Sequence, residues 1–194
     1  MVDKDVEAAL SKLRFIHETQ SRRLISQVQI LTSLESVMEK ERRMNMTIVG
    51  IDPGKKGAIV AMTPNDIIMH RMPESAGELV DVLSKYTEAH IFVEKSQAMK
   101  GQGVSSMFNY GVGFGTILGV IAALKITHTL VHPKTWCKVM HSGTTNDTAK
   151  ARSLEAAQRL FPKVQLVRPG CKKPDEGFVD ALLICEYGRR FLKE

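Results

Sequence analysis

Two short apolar runs that each end on a carboxylate constrain this chain most. They are Thr47–Asp52 (TIVGID) and His90–Glu94 (HIFVE). β-Branched runs of this length read as buried strands, and open α/β sheets gather their ligands at the C-terminal ends of such strands. Around them Gly57–Thr63 and Ile67–Met72, separated by Pro64-Asn65-Asp66, predict two further strands in a meander. Thr127–Val131, closed by Pro133, predicts a fifth. Helices are predicted over Ser75–Tyr86 (Ser75 as cap), Val104–Lys125, Thr148–Leu160 and Gly177–Leu192. This order specifies an α/β fold with a mixed five-stranded sheet flanked by helices.

Residues 3–43 obey a different rule, with no Gly, no Pro and apolar residues spaced for a helix. Leu10, His17, Leu24, Leu31 and Met38 fall seven apart, Leu13 and Leu34 sit three beyond Leu10 and Leu31, and Gln20 and Gln27 interrupt the seam. The spacing predicts a long helical extension with a coiled-coil-type seam over residues 1–45, an oligomerisation or protein-partner arm joined to a domain over 46–194.

Charge divides along the chain in the same informative way. The total is +6, yet residues 95–173 carry 12 basic and two acidic side chains, a net +10. The acid-rich segments on either side suggest a basic surface for a polyanion bordering a carboxylate site. Cys137, Cys171 and Cys185 have no paired spacing and read as thiols of a reducing compartment. The acidic start excludes a secretory or transit peptide. The uncharged stretch Gly111–Leu124 is too short to span a bilayer and suits a buried helix, so a soluble, cytoplasmic protein is expected.

Asp52 and Glu94 at strand ends, with Glu176 and Asp180 four apart on one helix face, form a set of hard oxygen donors suited to Mg²⁺ or Mn²⁺. Asp175 lies about 140° off that face. Two such ions about 4 Å apart can promote phosphodiester hydrolysis. His132, Cys137 and His141 lack a CxxC partner and read as satisfied or surface residues rather than zinc ligands. Trp136 reads as buried packing more than as a base-stacking ring, and Phe108 as core.

Four motifs occur in order: Ile48-Val49-Gly50-Ile51-Asp52-Pro53-Gly54; Val93-Glu94-Lys95 through Lys100-Gly101-Gln102 to Gly113-Phe114-Gly115; Pro133-Lys134-x-Trp136-x-Lys138; and Gly177-x-x-Asp180-Ala181-Leu182-Leu183-Ile184. Over about residues 46–191 they resemble RuvC-like Holliday junction resolvases, closely so the phage-type branch. The resemblance implies an RNase H-like fold and a homodimer. It also implies Mg²⁺-dependent nicking of branched DNA, two ions per site and 5′-phosphate products, in recombination or the resolution of replication intermediates. By position it makes Asp52, Glu94, Glu176 and Asp180 metal ligands, Lys150 the catalytic lysine and Lys138 a supporting one. Lys55, Lys56, Lys100, Gln102, Phe108, Lys134, Lys172 and Lys173 are expected to meet DNA. Phage-type members usually carry Asp where Glu176 stands, so Asp175 is an alternative ligand. The aromatic wedge position of other members is Gln97 here, leaving Met99 or Phe108 for that role. The alternative function is a non-catalytic branched-DNA-binding protein on the same fold.

Overall fold

Five strands of five residues each build one sheet: β1 (Ile48–Asp52), β2 (Ala58–Met62), β3 (Ile67–Arg71), β4 (His90–Glu94) and β5 (Thr127–Val131), in the order β3-β2-β1-β4-β5. The computed structural model describes residues 4–95 and 103–192, so Gln97, Met99, Lys100 and Gln102 lie outside the described residues. β1, β2 and β3 form an antiparallel meander, and β1, β4 and β5 run parallel. The β2–β3 turn is tied by Thr63, whose Oγ1 accepts from the Asp66 amide at 2.9 Å. Parallel neighbours need helical crossovers. α2 (Ala76–Leu83) and α3 (Val104–Ala123) supply them. Ser75 caps α2, as expected, by accepting from the Glu78 amide.

Both faces of the sheet are covered, which is why β1, β2 and β4 are nearly continuous apolar runs. On one face Val49, Ile51, Ile59, Ala61, Ile91 and Val93 pack with α2 and the C-terminal half of α3. On the other, Ile48, Val60 and Phe92 pack under α5 (Ala149–Leu160) and α6 (Glu176–Phe191). α6 is the most deeply buried helix, with Phe178, Val179 and the run Ala181–Cys185 in the core. It lies so close to β1 that a Cβ at Gly50 would stand 2.2 Å from the Ala181 carbonyl oxygen and 2.5 Å from the Cys185 nitrogen. At its first turn, a Cβ at Gly177 would stand 2.4 Å from the Lys56 carbonyl oxygen. Two absent side chains therefore set the helix against β1 and the turn that follows it.

Two expectations are corrected. β5 ends before Pro133 as expected, but no helix was predicted after it, and Pro133–Met140 forms one, α4. Its start is chemically legible: Pro fits the first helical position, and His132 Nδ1 caps it by accepting from the Lys134 amide at 3.1 Å. The second correction concerns α3, expected to be buried. Only Ile117, Val120 and Ile121 are buried, while Val112 and Phe108 are exposed, so Phe108 is not core. Gly111, Gly115 and Gly119 recur every four residues along α3, yet among the described residues nothing comes within 4 Å of a Cβ placed at any of them. An uncharged helix gives no sign of which side is covered; here α2 and the sheet meet one stripe only. Among the described residues, α3 is long and apolar enough by length and composition to cross a membrane.

The chain divides into two units between Met44 and Asn45. α1 (Lys4–Asn45) is continuous, as the lack of Gly and Pro requires, and Leu10, Leu24, Leu31 and Met38 on it are exposed.

The crossing at Gly50 gives a direct test. Gly50→Ala is expected to destabilise the protein by about 1–3 kcal/mol or more, because the colliding atoms are backbone and cannot turn aside. Urea unfolding measures it, and an unchanged midpoint would contradict the close approach.

Candidate active site

The alternation of the strands decides which residues can meet. Ile51 and Val93 are paired partners of β1 and β4 and point to the α2–α3 face. The next residues, Asp52 and Glu94, therefore fall side by side at the C-terminal edge on the α6 face. α6 brings Asp180 there, one residue before Ala181, whose carbonyl oxygen lies over Gly50. Glu176 is one turn earlier, and Asp175 caps the helix by accepting from the Phe178 amide at 3.1 Å. Asp175 also pairs with Arg168. These two bonds occupy the acid considered as a substitute for Glu176.

The carboxylates act on one another. Burial, then Asp180, Glu94 and Asp175 in that order, push Asp52 from its ordinary 3.8 up to about 8. Burial chiefly, then the nearby Asp180 charge, also raises Glu94, against the hydrogen bond from Trp136. Asp180 is raised by burial and Glu176, while a Ser153 hydrogen bond and Lys150 oppose the rise. Three partly buried acids at one edge thus share an excess of negative charge that the protein does not neutralise. Glu176, exposed, is different: Lys150, in the first turn of α5, donates to its Oε2 at 2.5 Å.

The donor set fits a divalent cation in its chemistry, since all candidates are carboxylate oxygens and their repulsion is what a cation would relieve. As placed, no group of three His, Cys, Asp or Glu side chains among the described residues stands ready to hold a metal ion. Three of the four acids are turned to a protein donor: Glu94 to Trp136, Asp180 to Ser153, Glu176 to Lys150.

The expected lysines divide. Lys150 reaches the acids through Glu176. Lys138 is exposed on α4, two residues and so about 200° round the helix from Trp136. Among the described residues it pairs with none of the four acids. Lys55 and Lys56 are exposed in the turn directly after Asp52; Lys134, at the start of α4, and Lys172 and Lys173, before α6, are exposed as well. Phe108 is an exposed aromatic ring on the N-terminal half of α3.

Three neighbours of the acids escaped the sequence reading in this role. Trp136, only 3% exposed, donates its indole N–H to Glu94 Oε2 at 2.7 Å. Ser153, a buried polar residue, bonds to Asp180 and lies 3.0 Å from His141 Nε2. Cys137, beside Asp180 and Glu94, is driven up to about 12 by burial and those charges, and is therefore a neutral thiol. No local pattern marks them, because each meets its acid across more than 20 residues or from another helix. The PKTW opening of α4, with its helix-initiating proline, was the available signal.

Because folding raises the Asp52 pKa, the native state binds a proton more readily than the unfolded chain, and ionising Asp52 costs stability. The cost is absent below about pH 4, grows between about pH 4 and 8, and is complete above about 8. In EDTA, Asp52→Asn is thus expected to unfold at a higher temperature than the parent at pH 7, with the gap closing as the pH falls to about 4. Thermal unfolding across that range checks it.

No family model matches the sequence, and neither does any curated protein. Solved structures do match. Thermus thermophilus RuvC in complex with a Holliday junction substrate aligns over 75% of this chain and 96% of its own, with a TM-score of 0.50 and 14% identity. A structure of Thermus thermophilus RuvC gives the same coverage and TM-score at 16% identity. The yeast mitochondrial Holliday junction resolvase Ydc2 aligns over 78% of this chain and 84% of its own, with a TM-score of 0.52 and 12% identity. The mixed sheet and its flanking helices therefore have an RNase H-like fold of the kind seen in RuvC and Ydc2.

Proposed function

We propose that this protein is a structure-specific endodeoxyribonuclease that nicks Holliday junctions or other branched DNA in recombination, repair or the resolution of replication intermediates. The observation that carries the reading is the gathering of Asp52, Glu94 and Asp180, partly buried and mutually repelling, on the C-terminal edge of a fold shared with junction resolvases. An acid cluster kept at the expense of stability is the mark of a working site.

In this reading Asp52, Glu94, Glu176 and Asp180 would hold two Mg²⁺ ions, with Mn²⁺ able to replace them. Bound there, the ions would supply Lewis acidity and neutralise charge on the phosphate; 5′-phosphate products are what the resemblance implies. The chain's own groups orient the substrate. Lys150, freed from Glu176, would pair with the scissile phosphate, and a cation there lowers the energy of its accumulating charge. Lys55 and Lys56, beside Asp52, hold the phosphates on one side of the cut, and Lys134, Lys138, Lys172 and Lys173 extend the basic surface for the arms. Phosphate contacts position DNA without reading its sequence. Phe108, exposed on α3, is a ring available to stack at an unpaired base. Lys100 and Gln102 complete this surface by their place in the chain. Such a protein works where DNA and reduced thiols coexist, in the cytoplasm of a bacterial or phage-infected cell.

We further assign α1 to self-association into a homodimer, with a second copy of α1 as its occupant. Residues seven apart repeat the same apolar face along the helix, so two copies are complementary to each other. His17, Gln20 and Gln27 interrupt the seam and select register at a cost in strength.

A cleavage panel of four-way, forked, flapped and linear DNA with mapped ends is the primary test. Mg²⁺-dependent nicking of the branched substrates is expected, with Asp52→Asn binding the junction but not cutting it. Binding without cleavage by the parent would select the non-catalytic alternative, which the protein-held orientation of the acids favours. For the arm, Leu24→Glu with Leu31→Glu should lower the oligomer mass in sedimentation while leaving the fold intact; an unchanged mass would remove the arm from dimerisation.

A further inference from the structure

Of the groups around the acids, Trp136 is the one whose placement has the fewest structural reasons. A buried indole N–H needs an acceptor, and a backbone carbonyl oxygen would serve without involving a charge. Here the acceptor is Oε2 of Glu94, 2.7 Å away, on a strand 42 residues earlier in the chain. The ring itself cannot swing. It is 3% exposed, packs in the core with Met140 and Val131, and meets the His141 ring edge-on at 5.9 Å and 79°. His141 is held in turn by Ser153, the residue that bonds Asp180. One short helix, α4, therefore reaches both strand-end and helix acids from behind.

We propose that Trp136 is a positioning residue for the metal site: its indole N–H fixes one oxygen of Glu94 and leaves the other for a metal ion. This rests on the metal-dependent reading above. A ligating carboxylate gains from a neighbour that fixes its rotamer, because the ion then meets an oxygen already aimed, without the entropy loss of ordering it. The geometry also makes the site self-reporting. Trp136 is the single tryptophan of the 194 residues, so all tryptophan emission comes from the ring bonded to Glu94.

The test uses the full chain and metal alone, without DNA. Mn²⁺ affinity is measured by electron paramagnetic resonance for the parent, Trp136→Phe, Glu94→Gln and the double variant. Trp136→Phe keeps the aromatic packing and removes the donor. It is expected to weaken Mn²⁺ binding about tenfold. Glu94→Gln is expected to weaken it at least as much, and the double variant no further than Glu94→Gln alone, because the indole acts through that carboxylate. In the parent, Mg²⁺ should shift the tryptophan emission, and Glu94→Gln should abolish the shift. Unchanged Mn²⁺ affinity in Trp136→Phe, or losses that simply add in the double variant, would overturn the positioning role while leaving the metal reading in place. If Trp136→Phe does not fold, the parent decides: bound metal with unmoved emission overturns the role. A parent that binds no Mn²⁺ overturns both readings together.

Discussion

The backbone of α6 lying directly on β1 is the constraint from which the rest of this molecule follows. Gly50 removes the one side chain that would hold the helix away, and Gly177 does the same over the β1–β2 turn. The contact is closed from the helix side by Cys185, whose thiol donates to the Ile48 carbonyl oxygen at 3.1 Å. Because the approach fixes both the distance and the rotation of α6, it also fixes where Asp180 arrives. A helix one side chain farther out would pack the same apolar residues and leave Asp180 away from Asp52 and Glu94. The fold and the candidate chemistry therefore depend on a single crossing.

That crossing creates an electrostatic cost. Burial comes first in raising Asp52, Glu94 and Asp180, and neighbouring acids add to it: Asp180, Glu94 and Asp175 on Asp52, Asp180 on Glu94, and Glu176 on Asp180. The molecule offsets part of this with donors: Trp136 on Glu94, Ser153 on Asp180 and Lys150 on Glu176. Elsewhere it treats acids differently. Glu186 is fully buried too, but Arg189 and Arg190 both bond it, and its pKa falls. Glu186 is thus neutralised by two guanidinium partners, whereas Glu94 and Asp180 have only the neutral donors Trp136 and Ser153.

The two helices misread from sequence illustrate opposite limits. α4 was missed because eight residues, PKTWCKVM, are too few to display a helical period, although proline at its first position and His132 before it are local starting signals. α3 was placed correctly along the chain but its burial was misjudged, since apolar residues on all sides leave the covered side undefined. Its N-terminal half, with Phe108 and Val112, reaches beyond what α2 and the sheet can cover.

The strands, four of the five core-domain helices and the long α1 were legible from residues 46–194 and 3–43, because β-branched alternation, helical spacing, caps and the absence of Gly and Pro act within a few residues. So were the strand-end positions of Asp52 and Glu94 and the shared face of Glu176 and Asp180. Tertiary structure alone decided that Asp52, Glu94 and Asp180 meet, that Glu176 is instead held out by Lys150, that Asp175 is a cap, and that Trp136 and Ser153 brace the acids. These outcomes depend on parallel pairing of β1 with β4 and on the depth of α6 over Gly50. Both are set by contacts between segments far apart in the chain, which no local pattern encodes.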